Sequence, residues 1–239
     1  IRIASNDFFA VSKDVVSRMI AGQLTAGQAY QAFNAQLLAE DTPADDETVL
    51  SSGKSYSNVF HANGGNASFS VMANTLRGVY GTDVLLATAN SFTGSVLKAD
   101  YTKKMAASMI MPNGLMSRQR TMTGAQLKEL VRAYVEGCEG GFVPFNRGSL
   151  PVVSGIAVEV KETNGSYTLT GITRNGQPLG DADTVTVTCL ATSKQMEALL
   201  ASESGASAGK DTWVKDTWRD YVSGGGAALA EPENYMTLR

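Results

Sequence analysis

Apolar residues in the opening stretch recur at helical spacing. Val15, Val16, Met19 and Ile20 form one stripe, with Ser12 placed to cap it and Gly22 to end it. Thr25 and Gln28 have the spacing of a capping box, in which each side chain satisfies an otherwise orphaned amide, and Ala29, Phe33 and Leu37 repeat at i, i+4, i+8 behind it. An acidic, proline-bearing stretch over 40–47 then breaks the pattern, which predicts a helical arm and linker over 1–47 and a main domain over 48–239. In that domain a helical pattern runs through Met72 and Leu76 to Gly81, and Val84–Ala87 reads as a short buried strand followed by a polar loop over 88–95. A second capping box, Thr123 with Gln126, opens a helix with Leu127, Leu130, Val131 and Tyr134 on one face, ended by Gly137. From 150 the period changes to two, in Ile156, Val158 and Val160, then Tyr167 and Leu169, then Val185 and Val187. Turns are expected at Asn164-Gly165 and Asn175-Gly176. A last helix, capped by Asp211 and carrying Trp213, Trp218, Tyr221 and Val222, ends at the glycines 224–226. Helices and half-buried strands together predict an α+β fold of mixed layers with a helical arm at its N-terminus.

Composition narrows the function more than the fold. With 239 residues, 43% apolar and 18% charged, the chain can bury a sizeable core. A balance of 20 basic against 23 acidic residues gives −3, without the dense cationic face that nucleic-acid binding needs. No apolar run is long enough to span a bilayer. The sequence opens at Ile1 with neither Met nor a signal-peptide pattern, and is read as a piece of a longer protein. His61 is the one histidine, and Cys138 and Cys189 have no CxxC partners. A finger-like zinc site and a histidine-rich dinuclear centre are therefore both excluded. The two thiols stand either bonded or separate, with separate the expected state.

Four segments, in order, resemble the C-terminal domain of the 5'-nucleotidase / UDP-sugar hydrolase family. They are "TDVLLAT" at 82–88, "MPNGLMSRQRTMTGAQLKEL" at 111–130, "LPVVSGIAVEV" with "ITRNGQPLGDADTVTVTC" over 150–189, and "DTWVKDTWRDYVSGGGAALAEP" at 211–232. The resemblance covers about residues 49–239. It implies a substrate-binding domain whose catalysis and divalent metals belong to an upstream metallophosphatase domain, with no cofactor in this chain. It also implies a nucleotide or sugar-like small molecule as ligand, and an extracellular, periplasmic or cell-surface location. The arm is similar to the closing segment of bacterial sugar-type solute-binding proteins; otherwise it is a helical addition that packs on the domain.

The departures from the family pattern fall where the ligand would sit. In the loop that in the family carries N-G-G-G-I-R, this chain has Thr88 for the Asn and Thr93 for the phosphate-gripping Arg. Asn113 replaces the base-stacking Phe, and Leu190–Gln195, with Thr192, stands where a second aromatic loop should follow Cys189. Thr88, Asn90, Thr93 and Asn113 are the expected contact residues of a degenerate pocket, which can exchange hydrogen bonds but can neither stack a base nor neutralise a phosphate. The alternative is a structural or interaction module that has lost nucleotide binding. The blander readings of other residues are a surface-loop His61, a plain turn at Asn113-Gly114, and a solvated charged face for Lys103, Lys104, Arg118 and Arg120. Of the two tryptophans, too far apart to share one helical face, one is expected in the core and the other at an interface.

Overall fold

The computed structural model describes residues 17–25, 28, 47–57, 65–92, 95–110, 115–136, 151–164, 166–190, 211–224, 227–233 and 236–239. The chain divides into two units, Ile1–Glu47 and Thr48–Arg239. In the first, residues 17–20 are helical and Gly22 has a φ of +70°. Thr25 and Gln28 form the reciprocal box: the Thr25 amide donates to Gln28 Oε1 at 2.9 Å and the Gln28 amide to Thr25 Oγ1 at 3.3 Å. Met19 and Ile20 are exposed. The Ser12 cap, the Phe33–Leu37 stripe, His61 and Cys138 lie outside the described residues.

The second unit runs β1 (Thr48–Ser52), α1 (Ala67–Tyr80), β2 (Val84–Thr88), β3 (Ala99–Thr102), α2 (Lys103–Ala107), β4 (Met116–Thr123), α3 (Gly124–Glu136), β5 (Pro151–Ser154), β6 (Ala157–Thr163), β7 (Ser166–Arg174), β8 (Gln177–Pro178), β9 (Thr184–Cys189), β10 (Thr212–Trp213), α4 (Val214–Ser223), β11 (Ala227–Ala228) and β12 (Met236–Leu238). The central sheet has the order β10-β4-β9-β2-β5, in which only β2 and β9 pair in parallel. Two smaller sheets, β11-β1-β3 and β12-β6-β7-β8, complete the mixed α/β layers.

The elements follow from local chemistry. Asn66 caps α1 by accepting from the Phe69 amide, and Gly81 ends it in left-handed backbone with a φ of 64°. The Thr123–Gln126 box opens α3 as expected, with the Thr123 amide donating to Gln126 Oε1 at 2.6 Å. Asn164 and Asn175 both take a φ of 53° at the hairpin turns. Leu127, Leu130, Val131 and Tyr134 are buried on the inner face of α3, which packs on β7 and β4, while α1 lies against β2 and β5. All of Val84–Ala87 in β2 is buried, the condition for an unbroken apolar run.

Several elements have no strong period in the sequence. Strands β1, β3 and β4 carry mostly Ser, Thr, Asp, Gln and Arg, so their alternation is hidden. The cap of α4 also differs from expectation: the helix begins at Val214 with Trp213 in the cap position, and Asp211 turns to Arg118 and Arg120 instead.

Candidate ligand site at the edge of the central sheet

Strand register places a defined row of side chains at the carboxyl end of β2. Thr88 lies opposite Pro151 of β5, and Trp213 of β10 lies opposite Met116 of β4. Leu86 pairs with Cys189, and Cys189 with Arg118, and Thr88 and Met116 each lie two positions further toward this edge on their own strands. Directly paired residues share a face. Trp213, Met116, Thr88 and Pro151 therefore form the last row of one face, with Trp213 and Thr88 about 14 Å apart across three inter-strand spacings.

Exposure rises along part of this row, although Pro151 in it is buried and Arg118, one row inward, is half-buried. One row inward, Leu86, Cys189 and Val153 are all buried. At the edge, Thr88 and Met116 are half-buried, Asn90 is exposed and Trp213 is 48% exposed. The carboxyl ends of parallel strands are where α/β sheets usually offer a crevice, and β2 and β9 end here side by side.

Trp213 is held rather than loose. Its neighbour Thr212 meets Ser117 Oγ at 3.0 Å and Thr217 Oγ1 at 3.0 Å, and the Val214 amide donates to Leu115 O at 3.0 Å. Yet tryptophan is a poor helix cap: it makes no capping bond here, where Ser, Thr, Asn or Asp would contribute about 1 kcal/mol. The other tryptophan is the core one, 0% exposed, its indole N–H donating to Ala106 O at 2.8 Å.

At this end two guanidinium groups share one carboxylate. Asp211 bridges the two arginines of β4, at 3.6 Å from Arg118 and 3.1 Å from Arg120. Arg118 also reaches Met116 Sδ at 3.4 Å. In the first turn of α4, burial lowers the Lys215 ammonium below its ordinary value.

Of the expected contact residues, Thr88 and Asn90 stand at this edge, while Thr93, Asn113 and Thr192 lie outside the described residues. Residues Ala89–Ser91 make one 3-10 turn after Thr88. Phe92 then leaves the surface: it bridges to Ile110 and packs with its ring centroid 5.7 Å from that of Phe69, so it is not open to a ligand. Ser91 is fully buried, and its hydroxyl has no hydrogen-bond partner among the described residues. Such a group costs about 1–3 kcal/mol until a water or a ligand satisfies it. Of the two tryptophans, Trp213 is thus the exposed one and Trp218 the core one.

A cavity of ≈ 290 Å³ lies elsewhere, between α3 and β7–β8, lined by Lys128, Arg132, Leu169 and Leu179 among others. Both of its cations are engaged, Lys128 by Asp181 at 2.6 Å and Arg132 by Glu129. It takes nothing from the edge row and carries no chemistry of its own. Among the described residues no three His, Cys, Asp or Glu side chains group to hold a metal ion, and no helix is long and apolar enough to cross a membrane.

No protein-family model matches the sequence, and no curated protein does. Solved structures match the fold. The 5'-nucleotidase precursor of Thermus thermophilus is similar at a TM-score of 0.61 and 13% identity over 89% of this chain and 43% of that one. The NAD nucleotidase of Haemophilus influenzae is similar at 0.63 and 16%, over 87% and 41%. A sulfate thiohydrolase of Thermus thermophilus, solved with glycerol, is similar at 0.61 and 14%, over 91% and 40%. The chain thus has the fold of the C-terminal domain of 5'-nucleotidase-like proteins and spans less than half the length of those it matches. At these identities the likeness is one of fold.

Proposed function

We propose that this chain is the ligand-binding part of a secreted, periplasmic or surface-attached 5'-nucleotidase-like hydrolase, with no catalysis of its own, and that its pocket suits a neutral polyhydroxy ligand better than a nucleotide. The reading rests on one observation: among the described residues the edge offers half-buried Thr88 and exposed Asn90, while Arg118 and Arg120 of β4 are held by Asp211. A phosphate entering here competes with that carboxylate for the arginines, and a base finds no pair of aromatic rings at Asn113 and beyond Cys189, only the single ring of Trp213 on the row. Hydroxyl and amide groups suit a polyol. Catalysis and divalent metals are assigned to an upstream metallophosphatase domain, since one histidine cannot build a two-metal centre.

The second reading, an interaction module that kept the fold and lost the ligand, is favoured by the burial of Phe92, which closes part of the loop into the core. Calorimetry separates the two. Adenosine monophosphate is expected not to bind below about millimolar, a free energy weaker than roughly −4 kcal/mol. A saturable signal with neutral polyols or sugars supports the first reading, and silence with every ligand supports the second. Micromolar nucleotide affinity overturns the neutral-pocket reading.

A further inference from the structure

After β11 the chain passes over α1 with neither helix nor strand from 229 to 233, and side chains beneath hold it by its backbone. Ser70 Oγ accepts from the Glu233 amide at 2.9 Å and donates to Glu233 O at 3.0 Å, so one hydroxyl clamps both polar groups of one residue. Tyr221 of α4 does the same for Ala228, accepting from its amide at 3.0 Å and donating to its carbonyl at 2.6 Å. Between these clamps the Ala230 amide donates to Thr75 Oγ1 at 2.9 Å, and Asn74 donates to Glu231 O at 2.7 Å. Ser, Thr and Asn are weak choices inside a helix, yet Ser70, Asn74 and Thr75 are all buried in α1. Holding this segment accounts for them.

Little else holds it. None of residues 227–233 is fully buried, and Ala227 and Leu229 meet the core only in part. Its carboxylates reach exposed partners, Glu231 to Lys54 at 2.9 Å and Glu233 to Arg77 at 3.5 Å, and such pairs add little in water. Lifting the segment exchanges hydrogen bonds for water and uncovers little apolar surface, which lets a segment open well below the free energy of the core. The face beneath keeps its own bonds: Ser154 donates to Asn74, and Thr75 donates to Val71 O at 2.7 Å. Beyond the segment, Met236 is buried and β12 pairs with β6.

We infer that residues 227–233 are a strap that opens as one unit while the central sheet stays folded, with β12 as its fixed end, and that opening bares the hydroxyl-and-amide row of α1. The clamps act together, since each holds the same short stretch of backbone against one helix.

Hydrogen exchange of the whole chain, followed by NMR, tests this. The amides of Ala228, Ala230 and Glu233 are expected to share one protection factor, about a hundredfold or more below those of β2 and β9. Low urea should speed exchange in β2 and β9 and leave the strap amides nearly unchanged, because strap opening exposes little surface. Three variants each remove one clamp: Tyr221→Phe for Ala228, Thr75→Val for Ala230 and Ser70→Ala for Glu233. Each should lower the protection of all three strap amides about tenfold, including the two it does not touch. If each variant affects only its own amide, the segment frays residue by residue and the strap is not a unit. If the strap amides share the protection and the urea response of β2 and β9 in the parent chain, the segment opens only with the whole fold and the inference is wrong.

Discussion

At the amino end of β2, Asp83 accepts from the Thr186 amide at 2.8 Å and the Thr186 hydroxyl at 2.9 Å, and is paired with Arg174 of β7. Arg77 of α1 donates to Ser154 Oγ at 2.8 Å, Ser154 donates to Asn74, and Asn74 donates to Glu231 O at 2.7 Å. Four elements and the C-terminal segment are tied together there, with every polar group named having a partner. At the carboxyl end of the same strand the Ser91 hydroxyl has no partner among the described residues, as the Tyr80 hydroxyl has none at the end of α1, and tryptophan occupies a cap it does not make. Among the described residues, one end is braced and the other is half-exposed. Since both ends share β2 and β9, the difference lies in the loops and not in the sheet, and it separates what holds this fold from what the fold presents.

The braced end should be the costlier to disturb. Gly155 has a φ of +84°, and a Cβ there would stand 2.0 Å from Asp83 O. The close approach is to backbone, which cannot swing aside. Gly155→Ala is expected to lose about 2–4 kcal/mol or to fail to fold, read by denaturant unfolding. A loss below about 0.5 kcal/mol would mean that this end gives way easily and the contrast is false.

Next in size is Asp83 itself. Burial pushes its pKa up, but the Thr186 hydrogen bonds and the Arg174 and Arg77 charges outweigh this and hold it below 3.8. A carboxyl depressed in the folded state contributes stability that is complete above the unfolded value and is lost as pH falls through the folded one. Asp83→Asn should therefore cost about 1–2 kcal/mol at neutral pH. The gap between variant and parent should close on acidification below 3.8, measured by urea unfolding across pH. A gap that persists at low pH would place the effect in packing instead of charge.

The same contrast explains what could be read without coordinates. Helix starts at Thr25 and Thr123 and turns at Asn164 and Asn175 were legible because each depends on residues a few positions apart. Val84–Ala87 was legible because burial of all four positions leaves an apolar run. The polar strands β1, β3 and β4 were not, since their stability comes from partners far along the chain, such as Ser51 with Asp100 at 2.6 Å. Thr88 and Asn90 were named from the family resemblance of the loop after β2, whereas the place of Trp213 beside Met116 comes only from the register of β10 on β4. Asp211 looked like a cap because its partners Arg118 and Arg120, some ninety residues away, leave no local trace.

At the half-exposed end, stability should change less than binding. Asp211→Asn removes a carboxylate whose side chain is 33% exposed, so its loss should cost less than about 1 kcal/mol. It takes from Arg118 and Arg120 the anion they share, and affinity for adenosine monophosphate or inorganic phosphate should then rise from undetectable into the millimolar range, reduced by added salt. Calorimetry of the variant that remains silent with both anions would show that Asp211 is not what excludes phosphate.

The smallest expected effect is the sharpest test of the comparison. Removing a hydroxyl that has a buried partner leaves the partner unsatisfied, and Ser154→Ala, at the braced end, should cost about 1–2 kcal/mol through Arg77 and Asn74. Ser91 is equally buried, but its Oγ has no partner to strand among the described residues. Ser91→Ala removes an unsatisfied polar atom and leaves little extra space, so stability should stay within about 0.5 kcal/mol of the parent or rise. Thermal unfolding of the two serine variants side by side reads the difference directly. Should Ser91→Ala lose as much as Ser154→Ala, the Ser91 hydroxyl has a resident partner in solution, and that end is already filled. If Ser91→Ala is neutral alone but narrows the stabilisation given by a bound saccharide, the orphaned hydroxyl is part of the ligand's own seat.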